Sequence, residues 1–191
     1  MIPRRFKTPK NKMNAERCEY LAGNTPIEVI PAITERAIHL ISGDIGPFEA
    51  GVPCRIPIWT AILMKRKHHC KLVAPKWMEV DELRKLLAAE TESQGLSSLP
   101  EHFFEISHML VRDATDDIFE VEAVKSLVQD IYDRRDAKLR TSAIAFLSQN
   151  QTCHAQLDCV QLIETSSARA TLEACKQMGI VIRNKHEVTP L

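Results

Sequence analysis

The chain has few of the features that mark several common protein classes. Aromatic residues make up 5% of its 191 residues, whereas domains that bind single-stranded nucleic acid stack successive bases on aromatic side chains. The longest apolar run, residues 58–64, is interrupted by Thr60, and a membrane-spanning helix needs about 20 apolar residues. No apolar signal sequence stands near the N-terminus. We therefore expect a soluble protein with no membrane partner.

The six cysteines form no C-x-x-C pair. Zinc sites usually combine two closely spaced pairs of ligands. Two segments combine cysteine with histidine, residues 68–70 and 153–159, and neither has a second pair of ligands to complete a site. Free thiols in a reducing compartment are the expectation. We predict neither a metal ion nor another cofactor, and an enzyme built around His68, His69 and Cys70 is the weakest alternative.

The stretch "SGDIGPFEAGVP", residues 42–53, has three glycines but lacks what a phosphate-binding loop requires. Pro47 removes a backbone donor, Asp44 would repel a phosphate, and no Gly-Lys-Ser or Gly-Lys-Thr triplet follows. The stretch instead predicts a turn of the β-rich region in which Phe48 anchors the chain to the core. The predicted turn residues are Gly43, Asp44, Gly46, Pro47 and Phe48.

The net charge is zero, with 25 basic and 25 acidic residues, but the two signs are segregated. Residues 1–13 carry five basic groups and residues 50–78 carry six, with no acid in either segment. Residues 79–122 carry twelve acids and three bases. Such blocks favour complementary protein contacts. The alternative is a basic nucleic-acid-binding module that acts without obligate partners through residues 1–13 and 50–78.

The character of the sequence changes near residue 75. Eight of the ten prolines and four of the six glycines lie at or before it, together with short strand-like runs. Helical periodicity dominates after it. We predict an α+β protein in which a small β-rich domain precedes a helical bundle. The predicted parts are a basic flexible tail (1–13), the β-rich domain (14–75), the helical domain (76–180) and a C-terminal tail (181–191).

The most informative predicted element is a long helix that ends near residue 149. Asp117 and Glu120 resemble a capping box at its start. A broad apolar stripe follows, and Arg135 lies in the middle of it. The guanidinium either reaches solvent along its neighbours or forms a buried pair with a carboxylate from another helix or another subunit. The stripe includes Val124, Val128, Ile131 and Leu139.

Four segments in a fixed order resemble a known family. They are "IEVIP" (27–31), "ISGDIGPFEAGVPCRIPIWTAIL" (41–63), "CKLVAPKWM" (70–78) and "DIYDRRDAKLRTSA" (130–143). Together they are similar to the family of the second subunit of the GINS DNA-replication complex. The resemblance covers most of residues 16–178, and the basic tail is not part of the family pattern.

The resemblance implies a nuclear, non-enzymatic subunit that assembles with three other GINS subunits. It also implies that this assembly joins the MCM ring and a RecJ-like partner in the replicative helicase, so that any DNA contact of this chain is indirect or weak. The family places a small β domain before the helical one. Trp59 and Trp77, which stand in the matching segments, are candidate interface or structural residues together with Arg135 and the apolar stripe.

Overall fold

The computed structural model describes residues 14–41, 43–148 and 159–165. A small β-containing unit comes first, and its elements are α1 (Ala15–Ala22), β1 (Pro26–Pro31), β2 (Ile38–Leu40), β3 (Gly43–Ile45), β4 (Cys54–Pro57), α2 (Ile58–Arg66) and β5 (Cys70–Leu72). A helical unit follows, with α3 (Val80–Glu92), α4 (Phe103–Asp113) and α5 (Val121–Ser148). The predicted α+β fold class is confirmed. The predicted tails, residues 1–13 and 181–191, lie outside the described residues.

The centre of the first unit is a three-stranded antiparallel sheet in the order β4–β1–β5. Ile27 faces Ile56 across one pair, and Val29 faces Leu72 across the other. All four side chains are buried, whereas Glu28 between them is exposed. This alternation is the period of two that a half-buried strand imposes, and it is the reason why these strands could be recognised in the sequence.

The predicted turn over residues 43–48 is wrong in its first part. Gly43 and Asp44 lie in β3, where they face Leu40 and His39 of β2 in an antiparallel hairpin. The pairing satisfies backbone groups that an open turn would leave to water. In addition, the Asp44 carboxylate lies 2.8 Å from the His39 ring.

The chain does turn at Gly46 and Pro47, directly after β3. Gly46 has a φ of +98°, which is a left-handed conformation that side chains disfavour. Phe48 then enters the core and is almost fully buried. Its backbone exchanges two hydrogen bonds of 2.9 Å with Glu35. The turn therefore serves to place Phe48, as the sequence predicts.

Helix α1 was not predicted from the sequence, although its start carries a recognisable signal. The Asn14 side chain accepts a 3.1 Å hydrogen bond from the Arg17 backbone N–H, which is the usual role of asparagine at an N-cap. Cys18 and Ala22 are fully buried on the inner face of the helix. The helix packs on α4 and so links the two units.

The predicted long helix is present as α5, but the predicted capping box is wrong. Asp117 lies in a 3₁₀ turn, Thr115–Asp117, and α5 begins four residues later at Val121. The Asp117 carboxylate accepts a 2.8 Å hydrogen bond from the Leu72 backbone N–H and lies 2.8 Å from the Lys65 ammonium. The Asp117 carboxylate, which the local pattern predicts to cap α5, instead binds residues of the first unit.

One continuous apolar core runs through both units. In the helical unit it includes a row of aromatic rings whose centroids lie about 5 Å apart, from Trp77 through Phe103 and Phe104 to Tyr132. Such tilted and edge-to-face contacts stabilise beyond the area they bury. The row joins the segment before α3 to α4 and α5.

Candidate interaction surfaces and the buried ion-pair cluster

The side chains of the histidine–cysteine segment, residues 68–70, lie in different environments. His68 is exposed with a φ of 58°, whereas Cys70 is buried and its thiol donates to the Ala61 carbonyl at 3.6 Å. Burial raises the pKa of Cys70 to about 11, which disfavours the thiolate that a nucleophile or metal ligand needs. No described group of three or more Cys, His, Asp or Glu side chains is placed to hold a metal ion.

The helices that the structure describes include none with the length and apolar character of a membrane span.

Arg135 is fully buried, and each of its five N–H groups has an acceptor. Nε and Nη2 donate to the two carboxylate oxygens of Glu164 at 2.6 and 2.9 Å. Nη1 donates to Glu90 at 3.0 Å and to the Ser97 carbonyl at 2.9 Å. Nη2 also donates to the Cys159 carbonyl at 2.7 Å. The guanidinium fork suits such bidentate binding of a carboxylate, and the partners found here come from the same chain.

Lys138 lies one turn after Arg135, is partly exposed, and completes a largely buried cluster with no net charge. Its ammonium lies 2.7 Å from Glu90 Oε1 and also donates to the Glu90, Ser93 and Gly95 carbonyls. Burial opposes ionisation of Glu90, but the hydrogen bonds from Lys138 and Ser97 outweigh it and hold the pKa of Glu90 below its usual range. We call the side chains of Arg135, Lys138, Glu90 and Glu164 the Arg135 cluster. It fastens α5 to α3, to the loop after α3 and to residues 159–165.

Most of the predicted apolar stripe of α5 is used inside the chain. Val124 and Ile131 are fully buried, whereas Val128 and Leu139 are half-buried. Val128 lies at the edge of a groove between α4 and α5 that Tyr132 and Ile163 also line. A role of these four residues in contacts with another subunit stays a prediction, and it is available mainly to the two half-buried side chains.

A second group of charges joins the two units, and we call it the charge seam. Lys65 and Arg66, at the end of α2, pair with Asp117 and Asp113 at 2.8 and 2.7 Å. Arg112 lies 2.9 Å from Asp113 as well and reaches Glu19 of α1 at 2.8 Å. Burial opposes ionisation of Asp113, but hydrogen bonds from Arg66 and Arg112 hold its pKa below the usual range.

The charge seam shows where part of the segregated charge goes. Two of the six basic residues of segment 50–78 meet two of the acidic residues of segment 79–122 within one chain. These contacts neutralise Lys65 and Arg66, which a nucleic-acid-binding surface would need unpaired for phosphate contacts. The complementary contacts that the sequence predicts are therefore, in part, internal.

An apolar groove lies between α1, α2 and α4, and we call it the α1–α2 groove. Tyr20, Trp59 and Leu63 line it, and their side chains are 76%, 37% and 50% exposed. Glu19, Arg66 and Arg112 form part of its rim. Trp59 was a candidate interface residue from the sequence. Tyr20 was missed because α1 was missed, although the Asn14 cap could have revealed that helix.

Trp77, the other tryptophan singled out in the sequence, lies elsewhere. It is half-buried, and its ring centroid lies 4.9 Å from that of Phe103. Its placement supports a structural role at the junction of the two units. The structure therefore does not bring Trp59 and Trp77 together in one surface.

Comparison with known proteins finds two adjoining matches. Residues 14–73 match a family model described as the PSF2 N-terminal domain, and residues 77–182 match one described as the GINS complex protein helical bundle domain. A Caenorhabditis elegans protein named "Probable DNA replication complex GINS protein PSF2" is 82% identical over 94% of this chain and all of its own length. A Brugia malayi protein of the same name is 36% identical over 93% of this chain and 94% of itself. The human "DNA replication complex GINS protein PSF2" is 36% identical over 82% of this chain and 84% of itself.

Proposed function

The chain belongs to the PSF2 family of GINS proteins, and from this membership we propose that it is a non-catalytic subunit of a GINS complex that acts in DNA replication in the nucleus. The relatives that carry the PSF2 name are described as members of a DNA replication complex. Because an assembly subunit needs surfaces for its neighbours, the observation that carries the proposal is the exposed apolar α1–α2 groove. Tyr20, Trp59 and Leu63 together leave a hydrophobic surface that a solitary protein would expose to water.

We propose that three other GINS subunits complete a four-subunit assembly and that one of them covers this groove. Its rim is electrically balanced, because Arg112 pairs with Glu19 and Arg66 pairs with Asp113. A partner therefore needs to supply apolar side chains rather than a large charge. Aromatic side chains such as Trp59 and Tyr20 are the residue types that most often dominate binding energy in interfaces.

The division into a β-containing domain (14–75) and a helical domain (76–180) is part of the same proposal. The two domains share a core and the charge seam, so we expect the subunit to enter the assembly as one body. We further propose that the assembly joins the MCM ring and a RecJ-like partner in the replicative helicase. Any contact of this chain with DNA would then be indirect or weak.

Co-expression tests the proposal directly. We expect the chain produced alone to self-associate, and production with the other three GINS subunits to yield a single soluble complex. The substitution Trp59→Asp should strongly reduce co-purification, because it places a charge in the apolar groove. Ile41→Asp is the matched control, since Ile41 is fully exposed outside the groove. A soluble monomer that does not bind the other subunits would contradict the proposal.

Association with the helicase is tested separately. The wild-type complex, carrying a tag on this chain, should retain the MCM ring and the RecJ-like protein from nuclear extract treated with nuclease. Retention that disappears after nuclease treatment would indicate a contact through DNA instead. Failure of this step would leave the four-subunit assembly intact, so the two parts of the proposal can be judged independently.

A further inference from the structure

The most exposed aromatic side chain of the described residues lies beside a cleft that the proposed function does not use. Phe119 is 83% exposed in the loop before α5. The cleft beside it has a volume of about 590 Å³ and lies between this loop, the start of α3 and the end of the segment that follows β5. Its apolar surface comes from Phe119 together with Ala74, Met78, Val80 and Ile118.

We propose that this Phe119 cleft is a docking site for a basic segment of another protein, anchored by an apolar side chain. Isolated exposed aromatic residues are common on protein surfaces and need no explanation. Phe119 differs because it lines the same cleft as Met78 and Ile118, two buried residues of the apolar core. An apolar side chain of the partner would enter this cleft and contact Phe119 there.

The charge of the rim selects the partner. The cleft is lined by four acidic residues, Glu79, Asp81, Asp117 and Glu120, and by a single base, Arg84. Asp81 is paired with Arg84, and Asp117 is paired with Lys65. Glu79 and Glu120 are exposed and make no ion pair within the described part of the chain. Lysine or arginine side chains would therefore be attracted, whereas nucleic acid and anionic lipid headgroups would be repelled.

The loop holds Phe119 between two fixed points. Asp117, two residues earlier, is bound to the Leu72 backbone N–H and to Lys65. Val121, two residues later, is the first residue of α5. Ile118, the residue between Asp117 and Phe119, is buried in the core. A loop fixed in this way loses little freedom when a partner binds, which favours affinity.

The experiment places a photoreactive group at the cleft in the assembled protein. Phe119 is replaced by p-benzoylphenylalanine in the chain co-expressed with the other GINS subunits, and the complex is irradiated in nuclear extract. Crosslinked peptides are identified by mass spectrometry. The same group at Ile41, an exposed position outside the cleft, is the matched control. The proposal expects a crosslink from position 119, and none from position 41, to a Lys- and Arg-rich segment of a different polypeptide.

Charge reversal provides the second arm. The pair Glu79→Lys and Glu120→Lys should lower the yield of that crosslink about tenfold, because like charges across an interface are strongly unfavourable. Co-purification with the other subunits should stay unchanged, and the melting temperature should fall only slightly, because both glutamates lie at helix N-termini, where a positive charge is unfavourable. A crosslink to residues 1–13 of the same chain, to a second copy, or to a neutral or acidic segment would overturn the proposal. So would the absence of any crosslink, or a yield that charge reversal leaves unaffected.

Discussion

The Arg135 cluster and the charge seam both pair arginine and lysine with carboxylates but differ in their contact with water. Arg135 is fully buried, and five acceptors surround its guanidinium. In the charge seam, the Arg66 side chain is 58% exposed although its partner Asp113 is nearly buried. A buried pair is costly to break, because the remaining partner is stranded without water. An exposed pair loses little, because water replaces the missing partner.

The largest effect is expected from Arg135→Ala. Removal of the guanidinium leaves the Glu164 carboxylate without its charged partner and takes one hydrogen-bond donor from Glu90. The loss should cost about 3–5 kcal/mol of unfolding free energy. Arg135→Lys should not restore it, since an ammonium cannot reproduce the fork of donors. Urea denaturation of the purified complex measures both changes. Arg134→Ala, at the exposed neighbouring position, is the control, and equal losses for the two alanine variants would show that the buried contacts of Arg135 add nothing to the stability.

A smaller effect is expected at the most buried part of the charge seam. Asp117→Ala leaves the Leu72 N–H and the Lys65 ammonium without their acceptor, which should cost about 1–3 kcal/mol. Asp117→Asn should lose less, because an amide oxygen can still accept from Leu72. Thermal denaturation distinguishes the variants, with the exposed Asp116→Ala as control. If the alanine and asparagine variants have the same melting temperature, the hydrogen bond to Leu72 contributes nothing to the stability.

Acid should weaken both regions in the same direction. The folded-state pKa values of Glu90 and Asp113 lie below their usual range, so both carboxylates stabilise the fold above their unfolded values of about 4. The unfolding free energy should therefore change little from pH 7 to about pH 5 and fall below that. Urea midpoints across this range measure the slope, and Asp113→Asn should reduce it. Stability that rises as the pH falls from 5 to 3 would be the opposite of this expectation.

The smallest effect is expected from Arg66→Ala. Its pair with Asp113 is exposed on one side, so its loss should cost less than about 1 kcal/mol. The loss should shrink further in 0.5 M salt, since salt screens exposed charges, whereas the cost of Arg135→Ala should not. Unfolding free energies at two salt concentrations test this. An equal salt response of the two variants would show that burial does not separate the regions.

Local patterns in the sequence were sufficient for the fold class and the family. The strands β1 and β4 were predictable because their side chains alternate between core and water, and α5 was predictable from its long apolar stripe. The motif resemblance is confirmed by the matches to PSF2 proteins. The burial of Phe48 also followed from its place beside the turn glycine.

Contacts between distant residues explain what the sequence left open. The charge in the α5 stripe was visible, but its partners Glu90 and Glu164 lie 45 and 29 residues away, and many carboxylates were equally plausible. Asp117 was misassigned because its hydrogen bond to Leu72 spans 45 residues. The exposure of Tyr20 and Phe119 depends on which neighbouring surfaces pack, and residue type alone does not reveal it.

The long sequence separations within the Arg135 cluster also have a kinetic consequence. Its acceptors come from α3, from the loop after it and from residues 159–165, so the guanidinium cannot lose its water until all three have converged on α5. During folding, the entropic cost of closing such long loops arises before the contacts that they bring together can stabilise the chain. The cluster should therefore be largely unformed in the folding transition state. The cluster should therefore slow unfolding. Its removal should raise the unfolding rate far more than it lowers the folding rate.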